Sequence, residues 1–115
     1  MLNIQIFTFN PFSENTYVLY NENKNGILLD PGNWNEKETE ILENFITEKE
    51  IKIQNILLTH AHIDHVLGLQ WAFDNYKVSV KMHQEEKEML DRNPMSARNY
   101  GFYFKPFIGE IEFVN

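Results

Sequence analysis

Ile53-Gln54-Asn55-Ile56-Leu57-Leu58-Thr59-His60-Ala61-His62-Ile63-Asp64-His65 is the stretch on which the reading of the fold turns. It opens with a short apolar run of the length of a buried strand, and it closes with three of the chain's four histidines and an aspartate. Upstream, residues 35–49 place Ile41, Leu42, Phe45 and Ile46 among Glu and Lys, the apolar face of an amphipathic helix. Downstream, residues 64–73 read as a second helix and 78–82 as another strand. Strand, helix and strand in succession predict βαβ crossovers with parallel strands, so the fold class is α/β.

Working outward, Leu2, Ile4 and Ile6 alternate with Asn3 and Gln5, which predicts a half-buried strand running on through Phe7-Thr8-Phe9 and stopped by Asn10-Pro11. Residues 16–20 and 26–29 read as a hairpin with turn material at 21–25 and the Asn25-Gly26 pair. Asp30-Pro31-Gly32 then breaks the third strand. Beyond the quoted stretch, residues 84–91 are helix-like, and Asn93-Pro94 supplies an N-cap and a first-turn proline for a separate short helix. Phe102, Tyr103, Phe104 and Phe107 lie in an aromatic irregular segment expected to pack, and residues 110–114 alternate like a final strand.

The composition excludes several function classes. A chain of 115 residues fits one domain, and with 43% hydrophobic residues it can bury a core. Ten basic against seventeen acidic residues, a net charge of -7, argues against a nucleic-acid partner, which needs a basic surface. With no Cys, disulfides, thiolate nucleophiles and Cys-ligated metals are out. No apolar stretch approaches a membrane span, and the N-terminus lacks the pattern of a secretory signal, so a soluble cytoplasmic protein is the expectation.

The histidine cluster carries the chemistry. In an extended segment, residues two apart project to one side, so His60 and His62 can present imidazoles to one point. Asp64 and His65 follow where the chain turns into a helix, which can bring two further ligands to a neighbouring point. Imidazole and carboxylate suit zinc, iron or manganese, and the end of a parallel strand is where α/β proteins place their sites. Two adjacent divalent metals are the natural reading. The alternative, solvated loop histidines beside a helix N-terminus with Asp64 as capping acid, leaves their crowding unexplained. His83 has no spaced partner and reads as a surface or packing histidine.

Thr59-His60-Ala61-His62-Ile63-Asp64-His65 resembles the THxHxDH signature of the metallo-β-lactamase superfamily, closest to its glyoxalase II-like (hydroxyacylglutathione hydrolase-like) branch. Asn10-Pro11 with Glu14-Asn15-Thr16-Tyr17-Val18-Leu19 resembles the family's second-strand segment, Leu29-Asp30-Pro31-Gly32 its DPG turn, and Gly68 fits the helix after the motif. The resemblance implies that His60 and His62 bind a first metal and Asp64 and His65 a second. It implies that Asp30 orients a ligand imidazole, although Asp is also common as a plain turn residue. It further implies hydrolysis of a small acyl compound, a thioester by preference, by a metal-bridging hydroxide that Asp64 helps to orient or deprotonate.

The sequence departs from the family in one respect. The complete fold is a four-layer αββα sandwich of two similar halves, and its later half supplies a GHTPGH-like segment, a bridging aspartate in a GD segment and a last histidine. None of these occurs here, and Asp74 and Asp91 lie in helix-like contexts without those motifs. Residues 1–115 are therefore expected to form the N-terminal half of that fold, as one partial domain that needs a missing C-terminal half or associates with itself. The competing readings are a non-haem iron sulfur dioxygenase of the same superfamily and a non-catalytic metal-binding or interaction fragment. Nuclease members are disfavoured by the charge and a secreted β-lactamase by the missing signal peptide.

Overall fold

A computed structural model describes residues 2–99 and 107–114. Strands β1 (Asn3–Phe9), β2 (Glu14–Tyr20), β3 (Asn25–Leu29), β4 (Lys52–Leu57), β5 (Val80–His83) and β6 (Ile111–Val114) form a sheet in the order β1-β2-β3-β4-β5-β6. The first three strands pair antiparallel, and β3 through β6 pair parallel. Each parallel connection carries helix: α1 (Glu36–Glu48), then α2 (Ile63–Val66) and α3 (Leu69–Tyr76), then α4 (Lys87–Asn99). The α/β reading and the predicted crossovers hold.

The helices cover one face of the sheet. Val18, Leu28, Ile56, Val80 and Met82 bury there against Leu42 and Ile46 of α1, Val66 of α2, Leu69 and Ala72 of α3 and Leu90 of α4. Ile53 and Ile56 both reach this face although three apart, because β4 slips by one residue between the partners of Gly26 and Ile27. α1 starts at Asn35, whose side chain accepts from Glu38 N at 2.8 Å, a cap worth about 1 kcal/mol. Of its predicted apolar face, Leu42 and Ile46 are buried and Ile41 is exposed.

The opposite face is less covered among the described residues. Register puts Ile4, Ile6, Tyr17, Leu19, Ile27, Leu29 and Leu57 on it, and none is fully buried. β1 was expected to be half-buried, yet Ile4 and Ile6 are 58% and 53% exposed, because no layer lies over them among the described residues.

Two further expectations change, and a third is met where it can be followed. The helix expected over 64–73 is divided at Gly68, whose N–H leaves the helix to donate to Pro31 O at 2.8 Å. A side chain at Gly68 would run into the amide of Asn33. The helix expected to begin at Asn93-Pro94 is instead the second half of α4, which runs through Pro94. Asn93 does not cap; it is buried, and its Nδ2 donates to Ala61 O. Of the aromatic segment, Phe107 packs edge-on against Phe73, while Phe102, Tyr103 and Phe104 lie outside the described residues.

Candidate metal centre

The site forms where the carboxyl ends of β3 and β4 meet the β1–β2 turn. Asp30 follows β3 with φ 50°, a left-handed conformation that Asp tolerates better than most residues. This turn points its carboxylate across to the next strand: Oδ1 accepts from Thr59 N at 2.8 Å and Oδ2 from Thr59 Oγ1. The histidine motif thus starts from a clamped residue. Past it, His60 and His62 are exposed, and His65 lies on α2 with Asp64 beside it.

The three imidazoles come together. Ring centroids lie 5.9 Å apart for His60 and His62, 5.6 Å for His60 and His65 and 6.4 Å for His62 and His65, with ring planes 71 to 77° apart. Asp64 Oδ2 lies 3.6 Å from His65 Nε2. The expectation for these four is two neighbouring points, His60 with His62 and Asp64 with His65. Among the described residues, the set whose ligand atoms all fall within 4.8 Å of one another is Glu14, Asp30 and His65. No hydrogen bond to a described residue fixes the ring of His60 or His62, which meet only neighbouring imidazoles edge-on. His83 is exposed, and its Nδ1 accepts from Glu85 N at 3.1 Å, which caps the turn after β5.

Glu14 carried no signal in the sequence beyond its place in the second-strand segment. It is 4% exposed, and its Oε1 lies 3.4 Å from His65 Nδ1; Asp30 Oδ2 lies 3.3 Å from the same nitrogen. Neither contact has the alignment of a good hydrogen bond, and Glu14 Oε1 and His65 Nδ1 remain buried without one. The Asp30 carboxylate beside it raises the pKa of His65, against the opposing effect of burial. Burial, with Asp30, Asp64 and Glu38 nearby, pushes the Glu14 carboxyl up to about 9. The surroundings fit a carboxyl that keeps its proton. Thr16 Oγ1 lies 3.0 Å from Glu14 Oε2 and 2.9 Å from Asp30 O, and it accepts from Gly32 N. The single hydroxyl proton can serve one of the two oxygens, and a protonated Glu14 donates back to Thr16.

We read Glu14, Asp30 and His65 Nδ1 as the support behind the site and not as its cation position. An Nδ1–H facing two carboxyl groups leaves the Nε2 lone pair of His65 pointing toward Asp64, which is how a metal-binding imidazole is ordinarily oriented. The converging imidazoles of His60, His62 and His65, with Asp64 beside His65 Nε2, fit a divalent metal.

Asn10, a strand stop in the sequence, also serves the site. It sits at φ 58°, and its Nδ2 donates to Gly32 O at 3.0 Å and Asp64 O at 2.9 Å. Its N–H donates to Glu38 Oε2, while Glu38 Oε1 accepts from Trp34 N, both at 2.8 Å. The first turn of α1 is thereby tied to the turn that carries the metal motif.

A cleft of roughly 460 Å³ opens beside the histidines, lined by Phe12, Ser13, Glu14, Asn15, Tyr17, Asp30, Thr59, His60, Asp64 and His65. A larger hollow of 560 Å³ is lined by Gln54, Phe73, Asp74, Lys77, Val78, Ser79 and Glu110 and holds no histidine, so the chemistry belongs to the smaller one.

An α/β fold with a mixed sheet, parallel from β3 to β6, and with imidazoles and carboxylates gathered at its strand ends has the arrangement of a metal site. The match to known families is specific: the model of the Metallo-beta-lactamase superfamily matches residues 9–112, and this chain belongs to that superfamily. It is 28% identical over 101 residues to the hydroxyacylglutathione hydrolase GloC of Haemophilus influenzae, covering 87% of this chain and 46% of the relative. It is 34% identical over 80 residues to the probable metallo-hydrolase YqgX of Bacillus subtilis, covering 70% of this chain and 36% of that one. Among solved structures, the BLEG-1 B3 metallo-beta-lactamase superposes with TM-score 0.75 at 30% identity, over 91% of this chain and 48% of that one. TTHA1623 in a di-iron-bound form superposes with TM-score 0.83 at 24% identity, over 96% and 54%, and shows the fold. The chain spans about half the length of these proteins, or less, and its sheet with one helical layer is part of their fold.

The raised Glu14 pKa sets a pH dependence. A carboxyl whose folded pKa lies above its unfolded value stabilises the fold fully below about 4.5, and the contribution is lost as pH rises toward 9. Glu14→Gln removes this titration. With chelator present, its melting temperature is expected to fall less than that of the wild type between those two pH values, and parallel pH profiles of the two proteins would contradict the assignment.

Proposed function

We propose that this chain carries the histidine and aspartate ligands of a two-metal hydrolase centre for small acyl compounds, with a thioester such as an acyl-glutathione as the substrate class. The observation that carries the reading is the convergence of His60, His62 and His65, with His60 and His65 lining a cleft and His65 backed by Asp30. The hydroxyacylglutathione hydrolases among its relatives support the thioester.

His60 and His62 would hold the first metal through their imidazole nitrogens, and His65 Nε2 with Asp64 would hold the second. Zinc is the preferred ion, and iron or manganese suits the same donors. When bound, such metals acidify coordinated water and polarise a carbonyl oxygen. Asp30 keeps the Nδ1 proton of His65 in place. Asp64 supplies a carboxylate at the cleft that can accept a proton during attack. Phe12 and Tyr17 give the cleft an apolar side for the acyl group.

The less covered sheet face enters the same proposal. Residues 1–115 are one layer pair of a larger domain, and the apolar face seats the second sheet of the four-layer fold. Left uncovered, a contiguous apolar face of this kind drives association. Sedimentation of the 115-residue chain is expected to show self-association, and a monodisperse monomer would count against the proposal.

The site assignment is tested with His62→Ala. Zinc content and hydrolysis of an acyl-glutathione thioester, measured on the longest natural product containing this chain, are both expected to fall sharply in the variant. Undiminished metal and activity would remove His62 from the site.

A further inference from the structure

We infer that Glu86 and Asn93 are positioning residues that hold the peptide groups of Ala61 and thereby set His60 and His62 as a ligand pair; the inference rests on the metal reading above. One residue separates the two imidazoles, and the fold grips it from three directions. Its methyl group is fully buried. Its N–H donates to Glu86 Oε1 at 2.8 Å, and its carbonyl accepts from Asn93 Nδ2 at 3.0 Å. The neighbouring side chains, His60 and His62, are exposed and make no hydrogen bond to a described residue. Where those rings begin is therefore decided by the backbone at Ala61. Side chains two apart share a side only while the residue between them stays extended, and rotation of either peptide plane parts them.

Both grips come from beyond β5. Glu86 ends the short turn Gln84–Glu86 that His83 caps, which gives that histidine a structural task two steps removed from the site. Asn93 is 0% exposed, in the middle of α4. A buried amide is unfavourable unless it is hydrogen-bonded, and an apolar side chain would pack at this position without that penalty. Asn93 Oδ1 has no partner among the described residues, so the bond to Ala61 is the one return for burying the amide. The same amide explains why α4 continues through Asn93-Pro94 when the local signal favours a new start.

The test uses the longest natural product containing this chain, with zinc affinity read by competition against a chromophoric chelator and exchange of the Ala61 amide proton read without metal. Glu86→Ala is expected to weaken zinc binding by roughly ten- to a hundredfold, the usual effect of removing a support behind a ligand, and to speed Ala61 exchange. Glu86→Gln keeps an oxygen acceptor and is expected to restore both readings close to wild type. Glu86→Asp keeps the charge but is one methylene short, and is expected to behave like the alanine variant. Glu85→Ala, on the same turn, leaves both unchanged. Zinc affinity in Glu86→Ala equal to wild type overturns the inference while the metal reading stands. So does a Glu86→Gln as weak as Glu86→Ala, since charge and not the hydrogen bond would then be the cause. An Ala61 amide that exchanges freely in the wild type overturns it even if Glu86→Ala fails to fold. A wild-type chain that binds no zinc brings down the metal reading and this inference together.

Discussion

The Asp30 carboxylate is the interaction on which the rest of the site depends. It leaves the end of β3 in a left-handed turn, fixes Thr59 at the end of β4 through two hydrogen bonds, and faces Nδ1 of His65 on α2 at 3.3 Å. One side chain therefore joins two parallel strands and the first helix after them. A carboxylate held this deeply is unfavourable unless its oxygens are satisfied, and Thr59 donates a hydrogen bond to each of them. Glu14 lies in the same pocket, and two acidic groups so close do not both ionise readily. Burial is the main reason that Glu14 keeps its proton, and the charge already held at Asp30 adds to it.

Around that anchor the loop is braced from several sides. Asn10 holds the carbonyl of Asp64 from the β1–β2 turn, and Gly32, which has no side chain, leaves room for Glu14 and for the backbone of Asp64. What stays unbraced are the rings of His60 and His62. That distribution suits a metal site: the backbone is organised by the protein, and the last adjustment of the imidazoles is left to the ion.

Much of this was legible in the sequence because it is local. The alternation of strand and helix, the break at Asp30-Pro31-Gly32 and the crowding of His60, His62, Asp64 and His65 are all visible within a few residues. What escaped depends on contacts distant in sequence. Asn93-Pro94 has the local form of a helix start, but a bond to Ala61, 32 residues earlier, keeps it inside α4. Glu14 reads as an ordinary strand residue until the sheet buries it. The one-residue slip in β4 follows from pairing with β3, and nothing in Gln54 announces it. Ile4 and Ile6 alternate correctly, yet burial requires a layer that the alternation cannot supply.

The central claim is that cations sit on the Nε2 side of His65, among His60, His62 and Asp64, with Glu14 and Asp30 behind. Anomalous X-ray scattering from crystals grown with zinc would test it most directly. Density within coordination distance of at least two of the His60, His62 and His65 imidazoles, on the Asp64 side, is the predicted result. A peak lying between Glu14, Asp30 and His65 Nδ1, with none among the three imidazoles, would contradict it.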